Sequence, residues 1–158
     1  MKRTILTLTL TSFILFYANA QDYKTGIGFR GGLTNGLTVK HFLTQRNAIE
    51  GLLASRWRGF EITGLYEFHN QAFDVERLKW YYGFGGHIGF WNGKYTHNYW
   101  GDEGVSYTVV GIDGVLGIEY NFKAVPINLG LDWKPAFNII GYSGFWGDGG
   151  ALSIRVLF

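Results

Sequence analysis

Acidic and basic residues occupy alternating positions in several segments of the chain, between bulky apolar neighbours. Six acids and six bases share this pattern: Glu50, Glu61, Glu67, Asp113, Glu119 and Asp132, with Arg30, Lys40, Arg56, Lys79, Lys134 and Arg155. A balanced set of this kind can form ion pairs, line a gated pore or supply an active site. Because an unpaired buried charge is very costly, we expect ion pairing if these side chains face an enclosed space.

Motifs that would indicate catalysis or a cofactor are incomplete. The stretch GFGGHI (83–88) begins like a dinucleotide-binding fingerprint but lacks its third glycine, and GYSGF (141–145) departs from the nucleophile elbow at its last position. His69 and His87 fall on neighbouring predicted strands, too far apart in register for a metal pair. We therefore predict no catalytic, cofactor-binding or metal-binding residue, and interpret both histidines as hydrogen-bonded interior residues.

The composition favours an all-β protein. The chain has 24 Gly, 18% aromatic residues, 16% charged residues and 2 Pro. After the first twenty residues, no apolar run approaches the ~18 residues of a membrane helix, and period two replaces the helical period of 3.6.

Residues 1–20 are interpreted as a cleaved secretory signal peptide, which leaves one domain over residues 21–158. Two basic residues precede an apolar run that ends in Ala18-Asn19-Ala20, a small-x-small cleavage site. Without Lys2 and Arg3, the 14 basic residues become 12 and equal the 12 acidic ones, so there is no electrostatic case for nucleic acid. The absence of Cys excludes disulfides, thiolate metal sites and a lipoprotein-type acyl-cysteine.

Eight segments read as strands joined mostly by short turns, which predicts an antiparallel up-and-down meander. Their predicted bounds are 25–33, 36–43, 48–57, 60–69, 78–91, 105–122, 126–138 and 149–158. The last strand must pair with the first, because an open strand edge in lipid leaves backbone groups unsatisfied.

The two faces of these strands differ in volume, and volume decides which one is inside. One phase holds some thirty large apolar side chains, whereas the other holds the charges together with Gly, Ala, Ser and Thr. An eight-stranded barrel has an interior just wide enough for side chains to fill. We therefore expect the bulky face to point outward into lipid, forming an eight-stranded transmembrane β-barrel.

Aromatic residues are expected to form belts at the two rims of the barrel. One rim is predicted to hold Trp57, Phe60, Phe90, Trp91 and Phe137, and the other Tyr66, Phe68, Trp80, Tyr82, Tyr120, Phe122 and Phe158.

Counting across the turns predicts three inward pairs. A two-residue loop at 58–59 places Arg56 opposite Glu61, the turn at 44–46 places Lys40 near Glu50, and the turn at 70–78 places His87 near Glu61. His87 thus joins the inward charges in the predicted ionic network.

The final segment, ALSIRVLF (151–158), resembles the C-terminal assembly signal of bacterial outer-membrane β-barrels. Its apolar residues alternate up to a terminal aromatic one: Leu152, Ile154, Val156 and Phe158. The whole segment 21–158 is similar to small barrels of the OmpX and OmpA-transmembrane type, and WYYGFGGHIGFW (80–91) resembles those of Bacteroidota. The resemblance implies a Gram-negative outer membrane, with lipid, lipopolysaccharide and the barrel-assembly machinery as partners.

The expected function is a non-enzymatic outer-membrane barrel with a charge-plugged lumen and a structural or surface-interaction role. Loops 92–104 and 139–148 are the candidates for surface contacts, since loops carry function more often than walls. One alternative is a lipid A-modifying enzyme, for which the resemblance implies a His and a Ser on the lipid-facing rim; His41 is the outward histidine, without a convincing Ser beside it. Another is a secreted lipocalin-like binding barrel.

Overall fold

The computed structural model describes residues 23–56, 59–91, 106–141, 143–147 and 149–158, without the side chains of Arg56 and Tyr107. Ten strands lie in these ranges: β1 (Thr25–Gly32), β2 (Asn35–Phe42), β3 (Asn47–Arg56), β4 (Gly59–Gln71), β5 (Leu78–Trp91), β6 (Tyr107–Asn121), β7 (Ile127–Trp133), β8 (Ala136–Ile140), β9 (Gly144–Trp146) and β10 (Gly150–Leu157). No helix long and apolar enough to cross a membrane occurs in them. The predicted signal peptide (1–20) and loop 92–104 lie outside the described residues.

The strands close into an antiparallel barrel. The hydrogen-bonded order is β5-β4-β3-β2-β1-β10-β7-β6, and β6 pairs in turn with β5. Strand β1 lies between β2 and β10, so that Phe29 is opposite Leu37 on one side and Ile154 on the other. This confirms the predicted all-β fold with eight strands around the wall and with the last strand closing on the first.

Two of the eight strands around the barrel wall are each divided into two shorter strands: β7 and β8 form one, and β10 and β9 form the next. Both β7 and β8 pair with β6, and the chain between them contains Pro135. Proline has no backbone N–H to donate to a strand ladder, which explains why the strand predicted over 126–138 is interrupted. The carbonyl of Pro135 still accepts a hydrogen bond from the amide of Gly114, at 2.9 Å.

The segment predicted as loop 139–148 is partly strand, so that prediction was wrong in its bounds. Strand β8 extends to Ile140, and β9 pairs with it through Phe137 and Phe145. The hairpin of β8 and β9 therefore extends the wall beyond β7 and β10.

The two ends of the barrel differ. We call the end that carries Tyr23 and Phe158 the terminal end; turns 43–46, 72–77 and 122–126 connect the strands there. The opposite end, which carries the β1–β2 turn and the β8–β9 hairpin, is the loop end.

Side chains alternate between the two faces along each strand. In β10, Ala151, Ser153, Arg155 and Leu157 are buried, whereas the residues between them are exposed. The predicted alternation thus places Leu152, Ile154 and Val156 on the outside, with Phe158 just beyond the strand and also exposed.

Two of the three predicted inward pairs are wrong by two residues of register. Arg56 lies opposite Gly59 and Glu61 lies opposite Ala54, because β3 ends at Arg56 and β4 begins at Gly59. His87 lies opposite Thr63, because β4 extends to Gln71 before it turns.

Lys40 lies opposite Glu50, as the turn at 44–46 predicts. A two-residue shift keeps every side chain on its own face, so the errors in register leave the inward and outward sets unchanged.

Four buried apolar residues form a cluster inside the barrel: Leu52, Leu65, Tyr81 and Val115. They lie on β3, β4, β5 and β6, and the tyrosine is fully buried. The interior is therefore part apolar and part charged, which the sorting of strands by hydrophobicity did not predict.

Candidate functional site: the charged interior

The charged residues of the wall converge inside the barrel. Glu50, Glu67, Asp113, Glu119 and Asp132 are buried, as are Arg30, Lys40, Lys134, Arg155, His69 and His87. Alternation along the strands brings them to one space, because β1 to β7 and β10 each turn their charged positions inward. These side chains form two networks and one further ion pair.

The network nearer the terminal end, which we call the terminal-half network, consists of Lys40, Glu50, Glu67, His69, Glu119 and Arg155. The ammonium of Lys40 lies at its centre, 2.8 Å from Glu67 Oε2, 3.3 Å from Glu119 Oε2 and 3.6 Å from Glu50 Oε2. It also lies 4.0 Å from the centre of the Tyr81 ring. One cation therefore serves three carboxylates from three different strands.

Arg155 is the second cation of the terminal-half network. Its guanidinium donates to the Glu50 carboxylate, to Thr38 Oγ1 at 3.0 Å and to Asn128 Oδ1 at 2.9 Å. The hydroxyl of Thr38 donates in turn to Glu50. Arg155 thus connects β10 with β2, β3 and β7 across the barrel.

His69 is packed between two rings at the base of this network. Its imidazole stacks on Tyr81, with ring centres 5.0 Å apart, and contacts Phe42 at 4.7 Å. Its Nε2 lies 3.5 Å from Glu67 and 3.4 Å from Glu119, yet neither ring nitrogen has a hydrogen-bond partner among the described residues.

Tyr23 covers the network from the terminal end. Its hydroxyl donates to Glu119 Oε1 at 3.4 Å, and its ring packs edge-on against Phe42. Burial raises the pKa of the Tyr23 phenol above its ordinary value, so the phenol stays protonated as a donor.

A bidentate ion pair lies between the two networks. Arg30 donates from both terminal nitrogens to the two oxygens of Asp132, each at 2.5 Å. Tyr81 also donates to Asp132, at 3.2 Å. Because charge-assisted bidentate pairs are strongly directional, this pair fixes β1 relative to β7.

The second network lies nearer the loop end and consists of Glu61, His87, Asp113, Lys134 and Asn138; we call it the loop-half network. Lys134 Nζ lies 2.6 Å from Asp113 and 3.3 Å from Glu61. His87 binds Asp113 through Nδ1 at 2.8 Å and Asn138 Oδ1 through Nε2 at 2.9 Å. His87 therefore connects β5 with both β6 and β8, and its main partner is Asp113 instead of the predicted Glu61.

Interior glycines provide the space for two of the aromatic rings. A Cβ on Gly117 would lie 2.5 Å from the ring of Tyr81, and one on Gly59 or Gly89 would collide with the indole of Trp91. The predicted place of Trp91 in the outer aromatic rim was therefore wrong: its side chain lies on the inward phase, over two glycines.

The predicted network residues are thus distributed over both halves of the interior. Arg30, Lys40, Glu50, Glu67, Glu119, Asp132 and Arg155 lie in or beside the terminal-half network; Glu61, His87, Asp113 and Lys134 lie in the loop-half network. The side chain of Arg56 lies outside the described residues.

Sequence reasoning missed several members of these networks. Thr38, Asn128 and Asn138 accept hydrogen bonds from the charged groups, and Tyr81 lies between them. The inward phase alone could have identified the three small polar residues. Tyr81 gave no signal, because it is one of three consecutive aromatic residues.

Two other sequence features considered for catalysis, GFGGHI and His41, lie in strands of the wall. GFGGHI (83–88) lies inside β5, and the outward His41 bonds Thr25 Oγ1 through Nδ1 at 2.9 Å. Position 142 of GYSGF lies outside the described residues. Over the part of the chain that the structure describes, no three His, Cys, Asp or Glu side chains are arranged to hold a metal ion.

Comparison with known proteins gives no relative: no protein-family model, no curated protein and no solved structure matches the chain.

Proposed function

We propose that this chain is a small integral outer-membrane β-barrel protein of a Gram-negative bacterium, with a charge-plugged lumen and a structural or surface-interaction role. It would belong with the small barrels of the OmpX and OmpA-transmembrane type. The resemblance of residues 80–91 extends the proposal to a Bacteroidota member.

The observation that carries the proposal is the outward face. Large apolar side chains are exposed on strand after strand, for example Phe29 (72%), Phe84 (63%) and Leu131 (58%). Among the described strand residues, no Asp, Glu, Lys or Arg lies on this face. Soluble monomers rarely expose contiguous apolar patches beyond a few hundred Å², whereas a hydrocarbon environment favours such a surface.

The charged interior supports the plugged lumen. Eight strands leave room only for side chains, and the ion pairs of Lys40, Arg30 and Lys134 each cross that space. We expect no stable open channel when the protein is reconstituted in a planar bilayer. A steady single-channel conductance would contradict the plug.

The turns suggest the orientation and the partners. Outer-membrane barrels have their longer loops on the extracellular side. Because loop 92–104 connects β5 and β6 at the loop end, we assign turns 43–46, 72–77 and 122–126 to the periplasm. The wall would contact phospholipid and lipopolysaccharide, and the barrel-assembly machinery would insert it. Surface partners would bind at the β8–β9 hairpin and at loop 92–104.

A pair of matched substitutions tests whether the outward face contacts lipid. Leu131→Arg places a charge in the middle of β7, whereas Val125→Arg places the same charge in an exposed turn. An Arg near the bilayer midplane costs about 2–4 kcal/mol, so we expect only Leu131→Arg to reduce the heat-modifiable folded band in outer-membrane fractions.

Equal behaviour of the two variants, with extraction in the absence of detergent, would contradict the membrane assignment and favour a lipocalin-like binder. A lipid A mass spectrum that changes on deletion of the gene would instead favour a lipid A-modifying enzyme.

A further inference from the structure

Two carboxyl groups lie beside the same cation in the terminal-half network. The side chains of Glu50 and Glu67 come from the neighbouring strands β3 and β4, and both are buried. Their Oε2 atoms share one cation, lying 3.6 and 2.8 Å from the ammonium of Lys40. Because an ionised carboxylate is an acceptor only, two ionised carboxylates cannot hydrogen-bond to each other.

Three carboxylate oxygens of this pair lack a hydrogen-bond donor. Glu50 Oε1 accepts from Arg155 and from Thr38, but Glu50 Oε2 has no hydrogen-bond donor. Both oxygens of Glu67 likewise have none, although Lys40 lies near Oε2. Buried polar atoms are nearly always paired, so these three oxygens without a donor need an explanation.

A second buried group is aimed at the same place without a partner. His69 is 1% exposed, and its Nε2 lies 3.5 Å from Glu67 Oε2, but neither of its nitrogens has a hydrogen-bond partner among the described residues. This imidazole and the two carboxyl groups together form a buried site with unused acceptors.

The charges around the pair come from every neighbouring strand. The charged and titratable groups are Lys40 on β2, His69 on β4, Lys79 and Tyr81 on β5, Glu119 on β6, Arg155 on β10 and Tyr23 before β1. Arg30 and Asp132 lie further away. Lys40 is shared by three carboxylates, and among the described residues Arg155 forms an ion pair only with Glu50. Lys79 lies at the rim, 5.0 Å from the Phe42 ring.

We propose that the terminal-half network is a proton-binding site, in which Glu67 carries a proton at neutral pH and donates it to Glu50 Oε2. Glu67 is the protonated partner because Glu50 already accepts from Arg155 and Thr38, which favour its ionised form. A proton shared between two adjacent carboxyl groups removes the repulsion of like charges in a medium of low dielectric constant.

A proton held by Glu67 makes the stability of the barrel depend on pH. In the unfolded chain Glu67 ionises near the ordinary pKa of about 4.3, whereas the folded barrel retains its proton at neutral pH. The folded state then binds one more proton than the unfolded state, so its stability falls as the pH rises above that value. The effect requires only the folded barrel and is independent of the proposed location.

Infrared spectroscopy of the folded protein in detergent detects this proton directly, through the C=O stretch of a protonated carboxyl group. We expect this band in the wild type at neutral pH and its loss in Glu67→Gln. Glu119→Gln is the matched control: it removes a buried carboxylate from the same network, and the band should persist. Absence of the band from the wild type, or its persistence in Glu67→Gln, would overturn the proposal.

The thermal midpoint provides a second measurement. Gln at position 67 has the shape and charge of a protonated Glu and can donate to Glu50, so Glu67→Gln should fold. Between about pH 5 and about pH 7, the wild-type midpoint should fall by about 4 °C per pH unit more than that of Glu67→Gln. Parallel pH profiles of the two proteins would show that Glu67 binds no proton.

Discussion

The two charged networks inside the barrel differ in how completely their polar atoms are paired. In the loop-half network, every buried side-chain nitrogen and oxygen that the structure describes has a partner, and His87 uses both ring nitrogens. In the terminal-half network, Glu50, Glu67 and His69 retain unpartnered atoms. Complete pairing fixes the register of strands, whereas incomplete pairing leaves capacity for a further ligand, which we propose is a proton.

Burial differs in the same direction. The side chains of Lys40, Glu50 and Glu67 are 0–1% exposed, whereas Glu61 in the loop-half network is 16% exposed. Water can therefore screen the contact between Glu61 and Lys134 but not the ion pairs of Lys40, so equivalent changes should cost more at the terminal end.

The largest expected effect is that of Arg155→Met. The substitution keeps much of the side-chain volume but leaves Glu50, Thr38 and Asn128 without their shared donor. Removing one partner of a buried ion pair typically costs about 3–5 kcal/mol. The denaturant midpoint of the folded band in detergent measures this loss, and a change below about 1 kcal/mol would contradict the buried network.

The matched change in the loop-half network is Lys134→Met. It removes the donor to Asp113 and Glu61, but His87 remains bound to Asp113. We expect a loss of about 1–3 kcal/mol, the cost of leaving a buried acceptor without its partner. The same denaturant titration measures it, and a loss equal to that of Arg155→Met would remove the difference between the two networks.

The smallest expected effect is that of Glu61→Gln. Its carboxylate is partly exposed and lies 3.3 Å from Lys134, which keeps its closer contact with Asp113. Exposed ion pairs contribute about 0–1 kcal/mol, and added salt should weaken this contribution further. A titration at low and high salt tests this, with a salt-independent loss as the contrary result.

The fold class and the inward and outward sets could be predicted because they depend only on alternation along each strand. Register depends on where a turn begins, and residues 56–60 are compatible with more than one two-residue turn. The predicted Arg56–Glu61 and His87–Glu61 pairs are each wrong by two residues. An error of one residue would have turned Glu61 to the apolar outer face, which the pattern of charges excludes. Side-chain period therefore limits register errors to even steps.

The break at Pro135 was predictable from the missing N–H of proline, although the strand was predicted to run through it. The buried Tyr81 was not predictable. In the run from Trp80 to Tyr82, alternation requires either one ring or two to face inward. Only Gly117, opposite Tyr81 on β6, shows where the interior has room for a ring.

The pairing of interior glycines with rings has a consequence for how this sequence can change. Gly117 and Tyr81 are cross-strand partners, as are Gly59 and Trp91. In each pair, the ring from the neighbouring strand occupies the place where a side chain on the glycine would lie. Enlarging one member alone overfills the interior, and shrinking the other alone leaves a void. The two positions of a pair should therefore covary in evolution, with a small residue at 117 wherever a large one stands at 81. A large residue at 117 should be tolerated when position 81 becomes small at the same time.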